Sequence, residues 1–257
     1  VSEATIRVLD HGLVRLVDVM GSDAAIVQAA RVSYGEGTKT VREDARLIDY
    51  LVRNQHTTPL EMVVFKFHVR APLFVARQWL RHRMASVNEV SGRYSVLKDV
   101  FYQPEPGRIQ GQDPVNRQGS GEALPPEVAQ EAIAALAMQN AEAYAAYDGL
   151  LEAGVARELA RLVLPLSLYT EWYWRIDLHN LLRFISLRID AHAQQEIQVY
   201  AQALLDLITP HVPAAVAAWE EHVRGGVRLS RTEALALREA KPQGLPASLE
   251  TKLKAVR

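Results

Sequence analysis

Apolar and polar positions change period repeatedly along this chain, and each change marks an element. Residues 5–9 and 13–19 alternate apolar with polar, the two-residue period of a half-buried strand, and Asp10-His11-Gly12 between them predicts the turn of a strand pair. Ser22-Asp23 offers the N-cap of a helix running to about Val32, and Thr40 starts a second that runs to about Arg53. His56-Thr57-Thr58-Pro59 breaks it. Residues 63–69 return to alternation, with Lys66 and His68 on the polar side. Pro72 suits the first turn of a helix whose apolar side is Leu73, Phe74, Val75, Trp79 and Leu80, predicted to extend to about Met84. Residues 86–95 show neither period and read as a loop.

Pro, Gly and Gln crowd residues 103–126, which predicts a long exposed loop and a candidate for a mobile flap. An Ala-rich helix over 127–152, stopped by Gly154, and a short helix over 155–163 precede Pro165. Residues 166–176, dense in aromatic and β-branched side chains, predict a strand. Amphipathic helices over 178–189 and 191–208 follow, then Pro210 and Pro213. With no internal repeat and no clean linker, the expected fold class is α+β. It would be a single domain over 1–225, with a mixed or antiparallel sheet packed by long helices, and a peripheral helical extension over 226–257.

Composition alters this picture little. Hydrophobic residues at 49% and charged residues at 23% supply an ordinary soluble core and surface. The N-terminus lacks a basic-then-hydrophobic signal, and no apolar run approaches the ~20 residues that span a bilayer. The expectation is a soluble cytoplasmic protein with no membrane partner. A net charge of −1 argues against whole-molecule attraction to nucleic acid, so anion binding must come from local clustering. Such a cluster exists: six Lys or Arg stand between Lys66 and Arg93 against one acid, Glu89. The chain has no cysteine, which excludes disulfides, thiolate metal sites and a cysteine nucleophile.

If the helix after Pro72 continues to Met84, then Arg77, Gln78 and Arg81 share a face, and Arg83 lies about 200° round from Arg81. A polar stretch, Ser86, Asn88, Glu89, Ser91 and Arg93, follows. Cations on two sides of a helix end, running into polar residues, fit two anionic ligands side by side. On these residues alone a solvated basic face explains the pattern as well.

The string RHRMASVNEVSGRYS at positions 81–95 resembles the signature of the flavin-dependent thymidylate synthases. Ala30-Arg31-Val32-Ser33, His56-Thr57-Thr58-Pro59-Leu60-Glu61, and the stretches 156–166 and 187–196 resemble further blocks of that family, in its order. The resemblance covers roughly residues 5–210. It implies conversion of dUMP to dTMP, with methylenetetrahydrofolate giving the carbon, FAD carrying reducing equivalents and NADPH reducing the flavin. It also implies a homotetramer with active sites shared between subunits. The missing cysteine agrees, because a hydride delivered to the uracil ring removes the need for a thiolate nucleophile.

By the same resemblance Ser33, Thr58, Glu61, Arg81, His82, Arg83, Met84, Asn88 and Glu89 would contact FAD, with Asp177, His179, Arg183 and His192 as further contacts. No Gly-x-Gly-x-x-Gly follows a strand, so the flavin would not sit on a Rossmann turn. Gln78, Arg81, Glu89, Val90, Ser91, Gly92, Arg93, Arg161 and Arg188 would hold dUMP, and glycine at 92 would let the backbone approach the nucleotide. Arg188, with Ser91 and His56, would stand at the chemistry. Arg188 would face the uracil ring, Ser91 would bind rather than attack, and His56 and Tyr94 would lie near flavin and folate. Read from spacing, Arg188 has Asp190 or Glu196 as alternative ion-pair partners. His192 and Glu196 fall on one face of the helix predicted over 191–208, a spacing open to a metal, although the family uses none.

Two departures limit the match. Met62 stands where many members have histidine, and Asp177 and His179 stand where some have Asn and Arg. Two rivals remain: a non-enzymatic nucleotide- or RNA-binding module, which the lack of interleaved aromatics disfavours, and a general flavoprotein reductase, which leaves Ser91–Arg93 and Arg188 unexplained.

Overall fold

The computed structural model describes residues 4–32 and 41–240, with the side chains of 41–43 left aside, and beyond these only Leu245, Pro246, Leu249 and Leu253. The first pair, β1 (Thr5–Val8) and β2 (Gly12–Met20), is antiparallel, with Val8 opposite Gly12. Gly12 is needed for space: a Cβ there would lie 2.0 Å from the Tyr200 hydroxyl, which donates to the Arg70 carbonyl. Helix α1 (Asp23–Arg31) is capped by Ser22, whose Oγ accepts from Ala24 N–H at 3.3 Å, and α2 spans Val41–Arg53.

A short 3₁₀ turn over Thr58–Met62 leads into β3 (Val64–Pro72), which pairs with β2 on one side and β7 (Tyr169–Asp177) on the other. With β4 (Ser86–Glu89) on β7, the sheet has the order β1-β2-β3-β7-β4, antiparallel at every pairing. Alternation decides its faces. In β7, Trp172, Trp174 and Ile176 are buried, whereas Glu171, Tyr173 and Arg175 point away from the core. The buried face is covered by α3 (Leu73–Trp79), α6 (Leu178–Arg188) and α7 (Gln195–Ile208). Trp79 is fully buried at the hub, 5.3 Å from Trp172, 5.1 Å from Trp174 and 4.6 Å from Phe184 between ring centroids. Such contacts carry much of a core's stabilisation.

Three stretches of the expected structure need correction. Helix α3 ends at Trp79, not near Met84: Leu80 N–H closes on Ala76 O, and His82 N–H turns back to Trp79 O. No Gly or Pro signals that stop. It follows from the chain having to leave the buried Trp79 and reach β7 as strand β4, so residues 86–89 form an edge strand rather than loop. The 103–126 stretch also carries structure: a 3₁₀ turn over Pro106–Arg108 and a small hairpin of β5 (Gln110–Gln112) and β6 (Ser120–Ala123). Its Gln, Gly and Ser residues give no apolar alternation to read. Third, α7 begins at Gln195, so His192 precedes the helix and shares no helical face with Glu196.

The long helix α4 spans Pro126–Glu152, and α5 covers Arg157–Ala160. Helix α8 (Pro213–Trp219) runs into a π turn over Glu220–Arg224, and α9 (Arg231–Ala240) lies in the expected extension. Among the described residues no helix is long and apolar enough to cross a membrane.

Candidate functional site

Two short runs of chain build a cleft of about 470 Å³. Arg81, His82, Arg83 and Met84 come from the turn after α3, and Ile176, Asn180, Arg183, Leu187 and Arg188 come from β7 and α6. Helix α6 starts where Asp177 caps it, accepting from Asn180 N–H at 2.9 Å and from Asn180 Nδ2 at 2.8 Å. Its buried stripe of Leu178, Leu181, Leu182, Phe184 and Ile185 turns Arg183, Leu187 and Arg188 towards the cleft. Four arginines therefore share one concavity, and among the described residues no acid lies within ion-pair distance of any of them.

Arg188 is held on two sides by neutral acceptors. Its Nε donates to His82 Nε2 at 3.1 Å, and its Nη2 donates to the Gln78 carbonyl at 3.2 Å. Neither Asp190 nor Glu196 pairs with it: Asp190 binds His192 and Glu196 binds Arg108. Burial, and then the charge of Arg81, lowers the Arg188 pKa. To accept from Arg188, His82 must carry its proton on Nδ1 and be neutral. Burial, followed by the charges of Arg188 and Arg183, pushes its pKa from 6.5 down to about 4.

This shift sets a direction for stability. In the unfolded chain His82 gains its proton as pH falls through 6.5, whereas the folded protein resists until about 4. The stabilisation is thus complete above 6.5 and declines as pH drops through that window. A His82→Gln variant should lose that part of the slope in denaturant melts run from pH 7 to 4. An unaltered slope would contradict the assignment.

A second cleft of about 230 Å³ is lined by Arg93, Tyr94, Ala156, Arg157 and Glu158, and shares no residue with the first. Arg93 Nε donates to Glu158 at 3.0 Å, an exposed pair that a stronger anion can displace. Ser91 Oγ accepts the Arg93 N–H at 3.3 Å, a turn-forming contact. Gly92 is buried, and its missing Cβ makes room for neighbouring side chains: one would meet Leu97 Cδ1 at 2.9 Å and Arg161 Cδ at 3.2 Å. That packing brings Arg161 beside Ser91–Arg93.

The other expected residues are dispersed. Val90 N–H bonds the Glu171 carbonyl, and Glu89 accepts from Thr170 Oγ1 at 2.6 Å at the end of β4, where Asn88 is exposed. His56 packs edge-on to Tyr50, and Thr58 and Glu61 lie exposed on the 3₁₀ turn. His179 is part-exposed in the first turn of α6, and His192 is 83% exposed at its side chain. Ser33 lies outside the described residues. The sequence reading missed Ile176, Asn180 and Leu187 as cleft-lining residues. The inward strand period marks Ile176, and the Asp177 cap marks Asn180, but nothing local marks Leu187.

Residues 15–214 match the family described as thymidylate synthase complementing protein. A flavin-dependent thymidylate synthase of Thermus thermophilus is 64% identical over 91% of this chain and 85% of its own length. One from Treponema denticola is 58% identical, over 90% and 88%. Among solved structures, a UMP/dUMP methylase, PolB from Streptomyces cacaoi, bound with 5-Br dUMP, aligns with a TM-score of 0.77 at 32% identity. The alignment covers 85% of this chain and 99% of that one.

Proposed function

The chain belongs to the thymidylate synthase complementing protein family, that of the flavin-dependent thymidylate synthases, and on that footing we propose how its residues share the work. The reaction is the reductive methylation of dUMP to dTMP. Methylenetetrahydrofolate supplies the carbon, and FAD reduced by NADPH, when bound, supplies the hydride.

The four-arginine cleft without a resident acid is the observation that carries the reading. A dinucleotide cofactor needs cations for its diphosphate and an apolar wall for a flat ring, and the cleft offers both: Arg81, Arg83 and Arg183 beside Met84, Ile176 and Leu187. These residues would hold FAD, with Thr58, Glu61, Asn88 and Glu89 completing the contacts. Asp177 and His179 would contact it from the start of α6, where the Asp177 carboxylate also caps the helix. Asn180, which lines the cleft, joins the set.

Arg188 is the catalytic residue. Neutral His82 and the Gln78 carbonyl orient its guanidinium without neutralising it, so its charge stays available to a uracil ring gaining negative charge as hydride arrives. Ser91, Arg93 and Arg161 grip the nucleotide phosphate, where guanidinium and hydroxyl donors suit three oxygens. The two clefts share no lining residue. That supports an active site in which the phosphate grip of one subunit meets the arginine cleft of another, within a homotetramer. Met84, Leu187, Leu162 and Tyr94 are 70%, 53%, 74% and 79% exposed, and supply apolar surface for such contact.

The purified protein should show a flavin absorbance band that shifts when dUMP is added. A colourless protein that takes up no FAD would refute the proposal. Ser91→Ala should weaken dUMP binding yet keep measurable turnover, read from KM and kcat separately. Loss of all chemistry with binding intact would instead make Ser91 the nucleophile.

A further inference from the structure

A buried ion pair outside the cleft has no part in the reaction as described. Arg108, in the 3₁₀ turn ahead of the β5–β6 hairpin, donates from Nε to Glu196 Oε1 at 2.7 Å and from Nη2 to Oε2 at 3.1 Å. Tyr102 also donates to Oε1, at 3.0 Å, and Arg108 Nη1 reaches Ser120 Oγ at 3.1 Å. Glu196 is 3% exposed. Burial raises its pKa, but the hydrogen bonds and charge of Arg108 outweigh this, leaving the carboxyl below the ordinary glutamate value. Well-packed apolar side chains often replace such a pair without loss of stability, so stability alone gives weak reason for it.

Its position gives a stronger one. Glu196 lies in the first turn of α7, two residues after Gln194, the residue that precedes the helix. Gln194 Oε1 accepts from the side-chain Nε2 of Gln78, and the backbone carbonyl of Gln78, in the last turn of α3, accepts from Arg188. We propose that the Arg108–Glu196 pair is a positioning device for Arg188: it fixes the start of α7, so that Gln194 anchors the Gln78 side chain and with it the last turn of α3, whose backbone carbonyl at Gln78 aims the guanidinium into the cleft. Arg108, Glu196 and Gln194 are positioning residues. The geometric claim stands by itself, while its effect on turnover rests on the role given to Arg188 above.

The aim of Arg188 can be read without turnover, because Arg188 is bonded to His82 and helps depress its pKa. In the full-length protein as purified, the His82 titration is followed by NMR of labelled histidine rings, its signal assigned by loss in His82→Gln. Glu196→Gln and Gln194→Ala should both let the guanidinium swing away, moving the His82 pKa upward from about 4, while burial, the largest cause, keeps it below 6.5. Gln194 is exposed, so its variant keeps the fold even where Glu196→Gln, which leaves the part-buried Arg108 without its carboxylate, does not. Glu220→Gln, which breaks the surface pair with Arg224, serves as the control with an unmoved His82.

Turnover in both test variants should fall by roughly tenfold to a hundredfold in kcat, with KM for dUMP near the parent's. A shifted His82 with kcat unchanged would uphold the positioning device and overturn the catalytic role of Arg188. A lowered Tm with His82 unmoved in Gln194→Ala would overturn the device and leave the pair as a staple.

Discussion

Arg188→Ala should form dTMP between about a hundredfold and a thousandfold more slowly than the parent while still binding its flavin, the range seen when one preorganised donor to a developing anion is removed. The loss should be large because the guanidinium is already aimed before substrate arrives, by His82 Nε2 and the Gln78 carbonyl. No reorganisation is then left for the chemical step. Flavin should stay because Arg81, Arg83 and Arg183 remain in the same cleft. The acceptors that lose Arg188 are part-exposed, so water can take its place and the fold should hold. Flavin absorbance and dTMP formation on one preparation decide the matter. Full turnover in that variant would remove Arg188 from the chemistry.

Mixing two impaired variants should restore activity that neither shows alone. If the phosphate grip of one subunit completes the cleft of another, Arg188→Ala and Arg93→Ala damage different halves of each site. In oligomers assembled at random from equal amounts, roughly a quarter of sites receive both intact halves. Co-expressed variants should therefore recover roughly a quarter of parent turnover. If both residues of a site come from one chain, every site stays damaged and no activity returns. The separate linings of the two clefts are the reason to expect recovery.

The strands were legible wherever one face is buried. Residues 63–69 and 166–176 carry Phe65, Phe67, Trp172 and Trp174 inward, and the two-residue period follows from that burial. The end of α3 was not legible, because a buried Trp79 and the route to β7 set it rather than any breaker. Its consequence reached the site. A helical wheel sent Arg81 and Arg83 in opposite directions, whereas the turn after Trp79 brings both to one cleft. The β5–β6 hairpin was hidden because polar strands of three and four residues leave no period to find.

Individual site residues divide along the same line. Motif residues 81–83 and Arg188 meet in space, in one cleft. The helix pattern gave His192 and Glu196 a common face, and α7 starting at Gln195 separates them: His192 turns to Asp190 in solvent, Glu196 to Arg108 inside. Spacing predicts a shared face only within a helix whose start is known.

The cleft draws its walls from two stretches, Arg81 to Met84 and Ile176 to Arg188. The second is a strand passing into a helix through the Asp177 cap, with no loop between them. Insertions elsewhere, such as at the tip of the β5–β6 hairpin, can lengthen the protein without altering those walls. One extra residue between Ile176 and Asn180 would rotate Arg183, Leu187 and Arg188 together by about 100°, a helical step, and close the site while leaving the rest of the sheet standing.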